Sequence, residues 1–533
     1  MTAAAFRHTY GFDDAGTTDR AVLGGKGAGL VAMVALGLPV PPGFVVGTDA
    51  GRAYLADETL PDGLVPELDG RMAALEAATG RRFGDPDDPL LVSVRSGAPV
   101  SMPGMMDTIL NLGLTMEGAE RLAERSGDAR FAWTSMERLL DGFVRTVRGI
   151  SAGRVEDALL DRAPEPDPAL AARARAETLA ELLERESGSP LPEPRDQLRE
   201  AAEAVFGSWN SRRAQTYRKH KGIDSAMGTA VVVQAMVFGN RDDRSGSGVG
   251  FTRDPSTGAR GAFGDLLFSA QGEDVVSGEC DTEPLTALAD RLPDVHAQLL
   301  GVFETLERDA RDLCDVEFTV ESGRLYILQT RVGQRSGRAA VALAVDLVDE
   351  GLITVAEAVD RVDAEHLAGA RSPRFIDEVD EADVVGRGLA ASPGAAVGRA
   401  AFDVDRARSR ADAGDAVVLV RPTTASGDLP GVMASVGVVT GRGGRTSHAA
   451  VVARGMGKTA VCGIGDVVVA SDGRSASVAG QTVREGDELS VDGDVGVVSR
   501  GARTAATADE TDPILARFLS WRDDPTNGSE GTA

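Results

Sequence analysis

Apolar and polar positions alternate along this chain in two textures. Up to about residue 110, short apolar runs such as PVPPGFVV and PLLVSVRSGAP are punctuated by Gly and Pro, predicting the strands and loops of an α/β unit. From about 115 to 220, Ala, Glu and Arg recur with helical periodicity, broken at APEPDP, which predicts a helical insertion. Strand patterns return in GTAVVVQAMVFG, VGFTRDPSTG and DVEFTVESGRLYILQTR. The run VALAVDLVDEGLITVAEAVDRV predicts two helices forming a stiff connector. Beyond a charged stretch at 376–383, a second small-residue α/β pattern starts at LAASPGAAVGRAAF and ends near 500. The remaining polar residues are expected to fray, apart from a turn or two of helix at ILARFLSW. The expected divisions are 1–337 with the insertion at 115–220, a helical linker at 338–385, a second domain at 386–505 and an acidic tail at 506–533. No internal repeat is visible.

With 533 residues, the chain exceeds what one core organises. Its composition, 42% hydrophobic and 4% aromatic, is that of a globular protein rich in small aliphatics. A net charge of −26 excludes general affinity for nucleic acid, since few cations face the phosphates. Cys280, Cys314 and Cys462 are widely spaced and form no CxxC pair, which argues against a disulfide framework or zinc site. The N-terminal MTAAAFRHTYGFDD has no apolar leader core, and no apolar run reaches membrane-spanning length. A cytoplasmic location with no membrane partner is expected.

Of the five histidines, His8, His220, His296 and His366 sit in ordinary polar or helical contexts. His448 lies in VGVVTGRGGRTSHAAVVARGMG, which predicts a buried strand, a glycine-rich turn and a short helix. Thr446 or Ser447 is expected at the N-cap and Gly455 at the C-cap. The imidazole then stands among backbone N–H groups lacking intrahelical partners, at the positive end of the helix dipole. Such a place keeps a ring nitrogen free for attack on phosphorus and stabilises the dianion formed. Two look-alikes fail: GMGKT lacks the first glycine of a Walker A loop because Val452 occupies its place, and GSGVG lacks the spacing of a dinucleotide fingerprint.

Phosphate-handling candidates occupy the N-terminal two-thirds. GGKGAGL places Lys26 in a glycine-rich loop before an apolar helix. SVRSGAPVSMPGMMDTILNLG sets Arg95 at a strand end, before a loop able to cover a triphosphate. AQGE adds Gln271 and Glu273. In DVEFTVESGRLYILQTR, Asp315 and Glu317 share one face of a strand, and Gln329 and Arg331 share one face of the return strand. A three-residue loop Ser322-Gly323-Arg324 would oppose Glu317 to Gln329 and Asp315 to Arg331. That face offers two carboxylates for Mg²⁺ with an amide and a guanidinium for phosphoryl charge; the alternative is a solvated face with cross-strand ion pairs.

Together SVRSGAPVSMPGMMDTILNLGL, AQGEDVV, DVEFTV…LYILQTR, ASPGAA and GGRTSHAAVVARGMGK resemble the pyruvate phosphate dikinases and, less closely, the phosphoenolpyruvate synthases, over nearly all of 1–505. The resemblance implies an α/β multidomain chain: an ATP-grasp nucleotide-binding domain with a helical insertion, and a swivelling β/β/α phosphohistidine domain. It implies ATP and phosphate as substrates and Mg²⁺ as cofactor. It implies His448 as phosphocarrier, Lys26, Arg95, Glu273, Asp315, Glu317, Gln329 and Arg331 as the ATP/Mg²⁺ constellation, and Thr446 as a regulatory threonine. Two departures stand out. Arg445 matches the synthase rather than the dikinase methionine, leaving phosphate and water both open as second acceptor. The family's C-terminal pyruvate-binding barrel, which needs about 250 residues, is expected to be missing and to be supplied by another chain. The rival reading is a non-catalytic, nucleotide-binding regulatory remnant.

Overall fold

The computed structural model describes residues 8–100, 102, 106, 108–160, 165–277, 282–424, 426–444, 447–507 and 512–524. The chain divides into two compact bodies, Met1–Val237 with Tyr326–Gln329, and Phe238–Leu325 with Thr330–Ala533.

The first body is built on a five-stranded antiparallel sheet in the order Thr9–Gly11, Gly43–Val46, Ala230–Ala235, Val92–Gly97, Thr108–Leu112. Its central strand Ala230–Ala235 is buried along its whole length, as its unbroken apolar run requires. Between Met116 and Lys221 the described residues are mainly helical, with a π-helical turn at Phe143–Val147. After the APEPDP break, the helix Pro168–Ser187 starts with proline in its first turn. Asp167 caps it, accepting from the N–H groups of Ala169 and Leu170 at 2.8 and 3.0 Å.

A second lobe is built on a sheet in the order Glu283–Pro284, Arg260–Phe268, Gly246–Arg253, Cys314–Glu321, Arg324–Val332. The GSGVG glycines have a packing purpose here. A Cβ on Gly248 would lie 2.3 Å from the Phe318 ring, and one on Gly250 2.4 Å from the Phe303 ring. Their absence lets both aromatics close on the strand. Helices Gly337–Asp349, Val355–Arg361 and Ala364–Ala370 do not stand free as a connector. They pack with Val249, Phe251 and Leu313 of the lobe, and helix Pro513–Arg522 joins the same core through Leu515 and Phe518.

Residues 384–500 form a layered unit within the second body. Its eight-stranded sheet carries four consecutive parallel strands, Ala395–Ala401, Val417–Arg421, Gly437–Thr440 and Thr459–Cys462. One face, including Val418, Val420 and Val439, packs on the small sheet Val467–Val469, Ser475–Val478, Gln481–Arg484. The other face, including Val417, Leu419 and Val438, receives the helices containing Ala407, Val432 and Ala450. Strands Pro373–Phe375 and Ala505–Thr507, which flank this unit in sequence, pair antiparallel with each other. No described helix is long and apolar enough to cross a membrane.

Candidate functional site

On the sheet of the second lobe, register gathers three carboxylates on one face. Asp315 opposes Phe251, and Glu317 opposes Val249 two residues along. Val249 in turn opposes Asp265 on the next strand. Directly opposed residues point the same way, so Asp265 shares the face of Asp315 and Glu317. Sequence reasoning missed Asp265: GDLLF carries no motif, and only pairing through Val249 reveals it.

The return strand differs from expectation in its turn. Strand Cys314–Glu321 ends one residue before Ser322, and Arg324 already belongs to the next strand, so the turn is two residues, not three. Ser322 and Gly323 have φ of 50° and 79°, the left-handed pair a tight hairpin uses. Asp315 and Arg331 nevertheless meet: the Arg331 Nε donates to Asp315 Oδ2 at 2.8 Å. Asp315 is buried, with a side chain 4% exposed, whereas that of Arg331 is 41% exposed. Burial raises the Asp315 carboxyl above its ordinary range despite Arg331. Burial pulls the Arg331 guanidinium down, but the charges of Asp315 and Glu317 outweigh it and hold it above its usual value. Asp315 Oδ1 is buried with no hydrogen-bond partner. An unsatisfied carboxylate oxygen beside a second carboxylate suits Mg²⁺, which takes one or two protein carboxylates and completes its shell with substrate phosphates and water. No cluster of three or more protein ligands occurs among the described residues.

Gln271 donates to Asn240 Oδ1 at 2.8 Å, and its backbone N–H donates to Asp274 Oδ2 at 2.9 Å. This fixes the start of the short helix Gly272–Ser277, which carries Glu273; the Glu273 side chain lies outside the described atoms.

Lys26 is helical, not in a loop. The helix Arg20–Ala35 is kinked at Gly24 (φ 68°, ψ 170°), and Lys26 follows the kink directly. Gly24 permits a close crossing with strand Val92–Gly97: a Cβ there would lie 1.6 Å from the Gly97 carbonyl oxygen, and the next N–H, of Gly25, donates to Ala98 O at 2.9 Å. Arg95 sits inside that strand, opposite Val232 and Thr108, rather than at its end. It donates to Gln234 Oε1, while Gln234 Nε2 is anchored on Pro41 O at 3.0 Å. The buried Gln234, which orients Arg95, was hidden in the apolar run VVVQAMV. Much of the glycine- and methionine-rich loop after Arg95 (101, 103–105, 107) lies outside the described residues.

The histidine helix spans His448–Gly455, with Ser447 at the N-cap position but no side-chain cap bond. Its C-cap is Met456, not Gly455; the left-handed glycine is Gly457, with φ 61°. The His448 imidazole and Thr446 lie outside the described atoms. The glycine turn before the helix lies against the carboxylate face, because a Cβ on Gly444 would come within 2.4 Å of Asp265 Oδ2. Beneath the helix, Cys462 is buried and free, its thiol pushed up by burial, and the free Cys314 thiol is pushed up to about 12, so neither supplies a thiolate at neutral pH.

Lys26, Arg95 and Gln329 thus belong to the first body. Gln271, Asp315, Glu317, Arg331 and the helices bearing Glu273 and His448 belong to the second.

A family model described as pyruvate phosphate dikinase, AMP/ATP-binding domain, matches residues 62–295, and one described as PEP-utilising enzyme, mobile domain, matches 413–496. Pyruvate, phosphate dikinase of Clostridium symbiosum is 42% identical over 525 residues, covering 96% of this chain and 60% of that protein. The Rhizobium meliloti (strain 1021) protein of the same name is 42% identical over 543 residues, covering 98% and 60%. The chloroplastic one of Flaveria trinervia is 42% identical over 514 residues, covering 95% and 54%. The chain therefore spans between 54% and 60% of the length of these relatives. Two matched domains and 42% identity along nearly the whole chain place it in the pyruvate phosphate dikinase family.

Proposed function

We propose that this chain is an ATP-dependent phosphotransferase that phosphorylates its own His448, carrying out the half-reaction from ATP and phosphate to AMP and pyrophosphate. The observation that supports it best is the Asp315–Arg331 pair with an unsatisfied Asp315 Oδ1, on the sheet face approached by the glycine turn of the histidine helix. Because AMP leaves, the His448 nitrogen attacks the β-phosphorus and the bond to the AMP oxygen breaks. Inorganic phosphate then takes the terminal phosphoryl group as pyrophosphate, leaving phospho-His448. Lys26 and Arg95 contact phosphate oxygens, and Arg331 offsets charge developing in transfer. Gln271, Glu273 and Gln329 hold the nucleotide. Mg²⁺ held by Asp315 and Glu317 would neutralise charge on the phosphates. The helix N-terminus stabilises the dianion on His448, and Thr446 is a candidate site of regulation.

We place 1–337 in an ATP-grasp nucleotide domain with its helical insertion, and 386–505 in a swivelling phosphohistidine domain. The phosphate then passes to an acceptor, or to a pyruvate-binding barrel, on another chain, in the cytoplasm. A covalent phosphohistidine separates the half-reactions in time, as ping-pong chemistry requires. Labelled AMP should therefore enter ATP when pyrophosphate is supplied, without pyruvate. Nucleotide binding with no exchange would instead support the regulatory remnant.

A further inference from the structure

The layered unit 384–500 carries one carboxylate that bridges it to two arginines outside it. Asp494 sits at the tip of the tight turn between strands Glu488–Asp492 and Val497–Arg500. A Cβ on neighbouring Gly493 would lie 2.0 Å from Ser392 O, so the turn packs closely against that strand. Asp494 Oδ1 accepts from Gly394 N at 3.3 Å, and the Asp494 N–H donates to Asp492 Oδ1 at 3.2 Å. Its two oxygens then face Arg338 Nη1 at 3.6 Å and Arg374 Nε at 3.7 Å.

The arginines lie on different parts of the connection. Arg374 is in the strand Pro373–Phe375 of the two-stranded ribbon that leads into and out of the unit. Arg338 stands in the first turn of helix Gly337–Asp349, which is fixed to the nucleotide lobe. There the Ser336 N–H donates to Pro255 O at 2.9 Å and Ser336 Oγ to Ser256 O at 2.6 Å, while Arg253 pairs with Asp346 and Glu350. Arg503, near the ribbon, pairs with Asp492 and Asp377 and covers the Phe375 ring, so it ties the ribbon to the carrier unit.

We propose that Arg338, Asp494 and Arg374 form a latch that holds the histidine-carrying unit against the nucleotide lobe, making Arg338 and Asp494 positioning residues for phosphoryl transfer to His448. This rests on the reading above that the unit swivels. Removing Asp494 leaves two arginines facing each other; burial and then the charge of Arg374 already hold the Arg338 guanidinium below its usual value. Asp254 and Asp512 also act on Arg338, so its charge does not stand alone without Asp494. The two arginines are about one-third exposed and Asp494 about one-quarter, so each pair is weak by itself. Only the Arg338 pair joins the unit to the lobe; an ion pair of this kind contributes about 0.2–1 kcal/mol, so losing it shifts an undocked-to-docked ratio about 1.4- to fivefold.

The test uses the full chain with nitroxides placed, by cysteine-independent chemistry, at exposed Glu304 of the lobe and Arg408 of the carrier unit. Pulsed EPR should give one dominant distance for the parent. In Asp494→Asn and in Arg338→Gln the population outside it should rise about 1.4- to fivefold, and the double variant should add little to the larger single effect. In parallel, labelling of His448 from ATP should slow in both variants. Labelling by phosphoramidate, a small donor that needs no docking, should not. Distance distributions identical to the parent's in both variants would overturn the latch. A parent that ATP fails to label, with the EPR shifts intact, would overturn the proposed function and leave the latch standing.

Discussion

Replacing Arg331 by Ala should destabilise the nucleotide lobe in a pH-dependent way, because it strands Asp315. Breaking a fully buried ion pair costs about 3–5 kcal/mol, and an exposed one about 0–1. Asp315 is 4% exposed but Arg331 41%, so solvent screens part of the pair. The expected loss is therefore about 1–3 kcal/mol at neutral pH. Its sign with pH follows from the direction of the carboxyl's shift. A carboxyl raised above its unfolded value binds more protons in the folded state, so stability falls as pH climbs from the unfolded value to the folded one. Removing Arg331 raises Asp315 further and lengthens that fall. Parent and variant should converge as pH falls below the ordinary carboxylate range, where Asp315 is protonated in both states, and diverge above it. Urea unfolding with EDTA from about pH 4 to 8 measures this, with amide exchange of strand Cys314–Glu321 as the local readout. Arg331→Ala in an Asp315→Asn background should lose the pH dependence. A loss equal at every pH, or one undiminished in that background, would refute the reasoning.

Glu317→Gln should slow labelling of His448 from ATP by about 10²–10³-fold, as removal of a comparable electrostatic group does, while the melting temperature stays at the parent value; normal labelling would remove Glu317 from the site. Gly24→Ala should cost about 2–5 kcal/mol and weaken nucleotide binding, because its φ is 68° and its Cβ would lie 1.6 Å from Gly97 O. Gly153→Ala, helical with no neighbour within 4 Å of the added carbon, should raise stability by about 0.5–1 kcal/mol, and calorimetry of the two compares them directly.

Much of this arrangement is legible in local pattern. Period-two alternation places Asp315 and Glu317 on one face, and the hairpin brings Arg331 to Asp315 even though its turn is one residue shorter than expected. Strand, glycine turn and short helix around His448 follow from TGRGGRTSHAA. What escapes is set by distant partners. Gln234 reaches Arg95 from 139 residues away, and Asp265 joins Glu317 only through the intervening strand. The helices expected as a stiff connector pack in the core for a readable reason: VALAVDLV is apolar almost all round, which a free-standing helix would not tolerate and a buried one requires. The glycines around Lys26 point to a loop, whereas one of them, Gly24, takes the whole kink and the helix resumes after it.

The most direct measurement is the chemistry of the label that ATP leaves on the chain. After incubation with ATP labelled at the β-phosphorus, in the presence of Mg²⁺ and phosphate, the protein should carry a phosphoryl group that is lost in acid and survives in base, as a phosphoramidate does. His448→Ala should carry none while still binding ATP. A label equally strong in His448→Ala, or one that survives acid, would contradict the assignment of His448 as the phosphate carrier.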